Sequence, residues 1–121
     1  MRESAQPGRR PPERLRRRGD FALVMRTGRR ARHHLFQVVA RSTGEPVTRI
    51  GFSVGKQVGG AVVRNRLKRR LRMILRDLPW REGFHVVIIA RPGSDSARFD
   101  ELASALKTSA QRMGLMGVED A

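Results

Sequence analysis

Seven consecutive residues, Phe84 to Ala90 (FHVVIIA), are apolar apart from one histidine, with four β-branched residues at their centre, and they limit the architecture more than any other segment. Such a run suits a strand buried on both faces, the centre of a small sheet rather than its rim. Arg91-Pro92-Gly93 ends it. A chain of 121 residues has room for one core around that strand but not for two.

Two further segments read as strands, Leu35 to Arg41 and Thr48 to Val54. In the second, Ile50, Phe52 and Val54 alternate with Gly51 and Ser53, and the turn residues Ser42 to Pro46 separate the pair, so an antiparallel hairpin is the simplest arrangement. A short helix is predicted over Gly19 to Thr27, with Phe21, Val24 and Met25 on one face and Gly28 as a left-handed stop. A long helix follows the glycine-rich stretch Lys56 to Gly60, running from Ala61 to Leu78, where Pro79 halts it. A last helix spans Ala97 to Met113, capped by Asp95 or Ser96, with Phe99, Leu102, Ala103, Leu106, Ala110 and Met113 as its apolar stripe. Residues 1 to 13 read as a flexible basic tail and residues 114 to 121 as a C-terminal tail, which leaves 14 to 113 as the domain. The expected class is α+β, a two-layer sandwich of about three helices on a mixed four-stranded sheet.

The long helix has a divided surface. Val63, Leu67, Leu71, Ile74, Leu75 and Leu78 fall within an arc of roughly 120° that must face the sheet. Between Arg64 and Arg76 lie seven cations and no acid: Arg64, Arg66, Lys68, Arg69, Arg70, Arg72 and Arg76. Like charges four apart (Arg64 with Lys68, Lys68 with Arg72, Arg72 with Arg76) each destabilise an isolated helix by about 0.2–0.5 kcal/mol. A solvated face normally mixes signs, so this one is better explained by a bound polyanion. The whole chain agrees, with a formal charge of +15 that favours a nucleic-acid partner. No short helix and tight turn precede the basic helix as a DNA-reading motif would require, and a glycine-rich run leading into it suits RNA backbone contact.

The run from Gly51 to Arg72 (GFSVGKQVGGAVVRNRLKRRLR) resembles the signature of the bacterial ribonuclease P protein, with Arg64-Asn65-Arg66 at its core. Arg14-Leu15-Arg16, Asp20-Phe21, Gly28-Arg29 and Val87 to Arg91 extend the likeness over about residues 14 to 113. The resemblance implies an RNA-binding subunit that assists a catalytic RNA in removing the 5′ leader of precursor tRNA, as a monomer in a 1:1 ribonucleoprotein. It implies that Lys56, Arg64, Asn65, Arg66, Lys68, Arg69, Arg70 and Arg72 contact the catalytic RNA, and that Phe21, Met25, Phe36, Val39 and Arg29 line a cleft for the single-stranded leader. Met25 and Val39 stand where relatives often carry aromatics, and the chain has no tyrosine. The resemblance further implies a left-handed strand–helix–strand crossover, and Mg²⁺ held mainly by the RNA.

The residues themselves offer no catalytic centre. The 11 carboxylates form no tight cluster, His33-His34 sits in a basic turn, and His85 lies inside the buried strand, so no side chain is assigned a catalytic role and metal ligation by the chain is left open. The absence of cysteine excludes disulfides, thiolate metal sites and a cysteine nucleophile. Neither a signal-peptide core nor a membrane span is present, which reads as a cytoplasmic protein without a membrane partner. The alternative of equal size and charge is a ribosomal or RNA-chaperone protein.

Overall fold

The computed structural model describes residues 11–117. Its elements run β1 (Glu13–Arg14), α1 (Arg18–Thr27), β2 (Arg29–Arg32), β3 (Phe36–Ser42), β4 (Arg49–Ser53), α2 (Ala61–Arg76), β5 (Phe84–Ala90), a 3-10 turn (Ser94–Ser96) and α3 (Phe99–Arg112). The five strands form one mixed sheet in the order β1-β4-β5-β3-β2. The α+β class and the three helices are as expected; the sheet has five strands rather than four.

β5 occupies the centre and matches the expected run to the residue. It pairs antiparallel with β3 and parallel with β4, so the expected hairpin between β3 and β4 does not form. The physical reason is burial. Four consecutive residues of β5, His85 to Ile88, are buried, and shielding both its edges from water is worth more than a local pairing of its two neighbours. The β4–α2–β5 unit is the strand–helix–strand crossover that parallel pairing demands.

Alternation along the strands assigns two cores. Phe36, Val38 and Ala40 of β3, Ile50 of β4 and Val86, Ile88 and Ala90 of β5 point to one face, where Leu67, Leu71, Ile74 and Leu75 of α2 and Leu102, Leu106 and Ala110 of α3 cover them. Val39 and Val87 point to the other face and meet Val24 of α1, with Leu15, Phe21, Met25 and Ile89 around them. The sandwich therefore has a partial third layer, because α1 lies opposite α2 and α3.

Gly28 is not a left-handed stop: its φ of −73° is ordinary extended backbone. Glycine is required there by crowding, since a Cβ would stand 2.6 Å from the Val24 carbonyl and 3.0 Å from that of Ala40. Gly51 has a similar cause, a Cβ there falling 2.9 Å from the Phe21 ring that closes α1 onto the sheet. The last helix starts two residues later than expected, at Phe99. Arg98, not Asp95 or Ser96, is its N-cap, and Phe99 stays 45% exposed instead of joining the apolar stripe.

Glu13, placed in the N-terminal tail by composition, pairs with Arg49 in β1; residues 1–10 lie outside the described range, as do 118–121. Packing continues past Met113. Leu115 is fully buried, Met116 bridges to Trp80, and the Trp80 indole N–H donates to the Leu75 carbonyl at 2.6 Å, closing the chain over the end of α2.

Candidate nucleic-acid interface

α2 presents its charges as the 3.6-residue period requires. Asn65, Arg66, Arg69, Arg72 and Arg76 are exposed along one side, while Leu67, Leu71, Ile74 and Leu75 are buried on the other. Gly60 provides no side-chain cap and no acid stands in the first turn, so the positive end of the helix dipole adds to the field of the arginines. α3 differs, with Asp100 and Glu101 in its first turn. Lys56 is exposed in the turn before α2, which Val58 anchors in the core.

Three of the expected cations have other partners or less exposure. Arg64 is half-buried and its Nε donates to the Gly59 carbonyl at 3.1 Å, stapling the glycine loop to the helix. Lys68 is half-buried on the flank. Arg70 turns from the exposed side and donates to the carbonyls of Asp95 and Ala97 at 3.3 and 3.4 Å, fastening α2 to the segment before α3.

On the other side of the sheet the expected cleft changes its membership. Phe36 is 1% exposed in the α2–α3 core, stacked on His33 with centroids 4.6 Å apart, so its ring has no free face for a base. Val39 is fully buried beneath α1. Arg29 points toward α3 and donates to the Met113 carbonyl at 3.1 Å. Phe21 and Met25 remain, half-buried at the flank of α1.

Beside them the strand register lines up Arg32, Gln37, Ile89 and Ser53 across four strands, all partly or fully exposed on the α1 side. Arg30 lies on the same face and donates to Gln37 Oε1 and to the Met25 carbonyl, each at 2.6 Å. Arg30 and Arg32 escape the sequence reading because Arg29–Arg32 is not recognised there as a strand, and Gln37 and Ile89, though in recognised strands, are placed beside them only by the long-range register. The alternation of Arg29–Arg32, arginine at 30 and 32 with Ala31 packed against the core between them, is the signal that was available.

The family model described as Ribonuclease P matches residues 10–114. The ribonuclease P protein component of Streptomyces avermitilis is 49% identical over 113 residues, covering 83% of this chain and 90% of that protein. The chain belongs to the ribonuclease P protein family. The corresponding component of Acidothermus cellulolyticus is 44% identical over 97 residues, covering 75% of this chain and 79% of the relative. Among solved structures, the ribonuclease P protein of Thermotoga maritima superposes with a TM-score of 0.73 at 31% identity, covering 89% of this chain and 99% of that one. A mutant Staphylococcus aureus protein superposes at 0.76 with 22% identity, over 85% and 89% of the two chains, a likeness of fold alone. The role of the chain thus lies in ribonuclease P, an RNA-containing endonuclease of tRNA processing.

Buried His85 and the more exposed Glu45 form a polar pair that sequence spacing hides. Nε2 of His85 stands 3.2 Å from Glu45 Oε1, and Arg49 joins the same carboxylate at 3.4 Å and Glu13 at 2.8 Å. The hydrogen bond from His85 is the largest influence on the Glu45 carboxyl; desolvation opposes it, and the charge of His85 with the hydrogen bond and charge of Arg49 add to it, so the carboxyl is held below its ordinary value. The arrangement ties β1, β4, β5 and the loop before β4 together. No group of three or more histidine, aspartate or glutamate side chains able to hold a metal converges among the described residues.

Proposed function

We propose that this chain docks the catalytic RNA of ribonuclease P through the exposed side of α2 and holds the single-stranded leader of precursor tRNA on the α1 side of the sheet. The RNA then carries out the cleavage. The observation that bears most weight is the unbroken cationic side formed by Arg66, Arg69, Arg72 and Arg76 with Asn65, extended by Lys56. Guanidinium groups fork onto phosphate oxygens, and counterion release makes such contacts strongly favourable at low salt.

The leader would lie along Arg32, Gln37, Ile89 and Ser53 beside Phe21 and Met25. With no free aromatic in that row, affinity comes from cation and apolar contact more than from stacking. Among the described residues no three carboxylate or histidine side chains converge, and in this reading Mg²⁺ belongs to the RNA. The presence of one such helix face among the described residues supports a 1:1 particle. No helix among the described residues is long and apolar enough to cross a membrane, and a cytoplasmic place fits the RNA partners.

The test is reconstitution of the full chain with precursor tRNA and a ribonuclease P RNA from a related bacterium. Protein alone should leave the substrate intact, and at low magnesium the protein should raise cleavage by the RNA. Cleavage by protein alone, or no effect on the RNA at any magnesium concentration, overturns the proposal.

A further inference from the structure

Where α2 ends, it leaves part of the sheet uncovered. β1 is only two residues long and forms the edge, so a cavity of about 180 Å³ opens between that edge and the C-terminal half of α2. Its floor is Ile50, Phe52 and Leu75, and Arg14, Arg72 and Arg76 stand around it. Apolar cavities of ~150 Å³ accept a benzene ring, and drug-sized ligands need ~300 Å³ or more, so this one suits a single planar ring system.

The rim sets the charge of the occupant. Arg72 and Arg76 are exposed, and among the described residues the only carboxylate within 4 Å of either is Asp77, 3.8 Å from Arg76 and itself mostly in solvent. The one acid in the lining, Glu13, is already engaged by Arg49 at 2.8 Å. The Arg72 guanidinium carbon lies 6.0 Å from the centroid of the Phe52 ring, the outer limit of a cation–π contact, so it can shift onto a second ring without losing a strong bond. Glu13 and Leu15 both donate their amides to β4, which by strand alternation turns the Arg14 N–H and carbonyl toward the open edge.

A flat apolar slot, a ring on its floor, three guanidinium groups around it and a backbone edge unpaired among the described residues together match one chemistry. We propose that this cavity is a subsite for a single nucleobase extruded from RNA, the base lying against Phe52 and its flanking phosphates held by Arg14, Arg72 and Arg76. The inference rests on the reading of the chain as an RNA-binding subunit. It adds a contact that grips one unstacked base instead of tracking a backbone.

The test is a titration of isotope-labelled full-length protein with adenosine 5′-monophosphate, uridine 5′-monophosphate and ribose 5-phosphate, followed by NMR. Both nucleotides should shift the Ile50 and Leu75 methyl groups and show contacts from base protons to the Phe52 ring, at millimolar concentration. Ribose 5-phosphate should leave the floor unmoved. Phe52→Leu, which keeps the floor apolar, should weaken nucleotide binding fivefold or more, as should Arg72→Ala with Arg76→Ala. Equal shifts from ribose 5-phosphate, or none at the floor from either nucleotide, overturn the subsite. So does a short acidic peptide bearing one phenylalanine that binds there more tightly than the nucleotides. Retained, salt-dependent binding of ribonuclease P RNA in that event leaves the docking side of α2 standing, so the two readings fail separately.

Discussion

Arg69 and Arg70 are sequence neighbours with different tasks. Arg69 is exposed on the docking side, whereas Arg70 is half-buried with two carbonyl partners on the segment before α3. Arg69→Ala should lower RNA affinity and reduce the slope of log affinity against log salt by about 0.7–0.9, the share of one phosphate contact. Arg70→Ala should leave that slope in place and cost about 1 kcal/mol of stability in urea unfolding, since it removes hydrogen bonds of modest length. Reversal of the two outcomes would sink the assignment of the face. The sequence carries the stripe of arginines and its direction, because period alone decides which residues share a side of a helix. It does not carry the fate of Arg70, or of Arg29, Phe36 and Val39, because what packs against a side chain depends on elements distant in the chain. Phe36 and Val39 sit three apart in one strand and so belong to opposite faces of the sheet, a consequence of alternation that a resemblance to other chains does not supply.

The elements differ in legibility for physical reasons. β5 is readable to the residue because burial on both faces leaves a continuous apolar signature. β2, with three arginines in four residues, has only Ala31 to mark an inner face, and β1 is too short for any period to show. The pairing of β3 with β5, not with β4, is a long-range choice that no local pattern encodes. α2 is readable in extent and in orientation, and its charge pattern conflicts with its own stability. Arg72→Glu replaces two like-charge pairs, with Lys68 and Arg76, by two attractive ones, so the helix should gain about 1 kcal/mol. The same variant should bind ribonuclease P RNA at least tenfold more weakly. A thermal melt and a binding isotherm at fixed salt check both signs, and a variant neither more stable nor weaker in binding contradicts the view that this face trades stability for RNA.

At the scale of the molecule, acid should loosen the sheet before it touches the helix face, because the groups with displaced protonation lie at strand ends. Glu45 is held below its ordinary value of 4.5, chiefly by the hydrogen bond from His85. His33 is held below its ordinary value of 6.5, first by burial and then by the charge of His34, with Glu101 opposing. Each group binds its proton less readily when folded, so each contributes stability that is complete above its unfolded value and is lost as pH falls through the folded one. Unfolding should therefore ease in two steps on acidification, the first beginning near pH 6.5 and the second near pH 4.5. The first step has a visible cause, since His33 Nδ1 accepts the Leu35 amide at 3.0 Å and cannot do so once protonated. The second disengages the carboxylate that joins His85 of β5 to Arg49 of β4, the central parallel pair. Urea midpoints measured across this range should show Glu45→Gln less stable than the parent near neutrality, with the gap closing below the folded value of Glu45. A gap that stays constant with pH would place the acid sensitivity elsewhere. The arginines of α2 keep their charge throughout the range, so RNA affinity measured above the first step should be flat with pH even where stability has begun to fall.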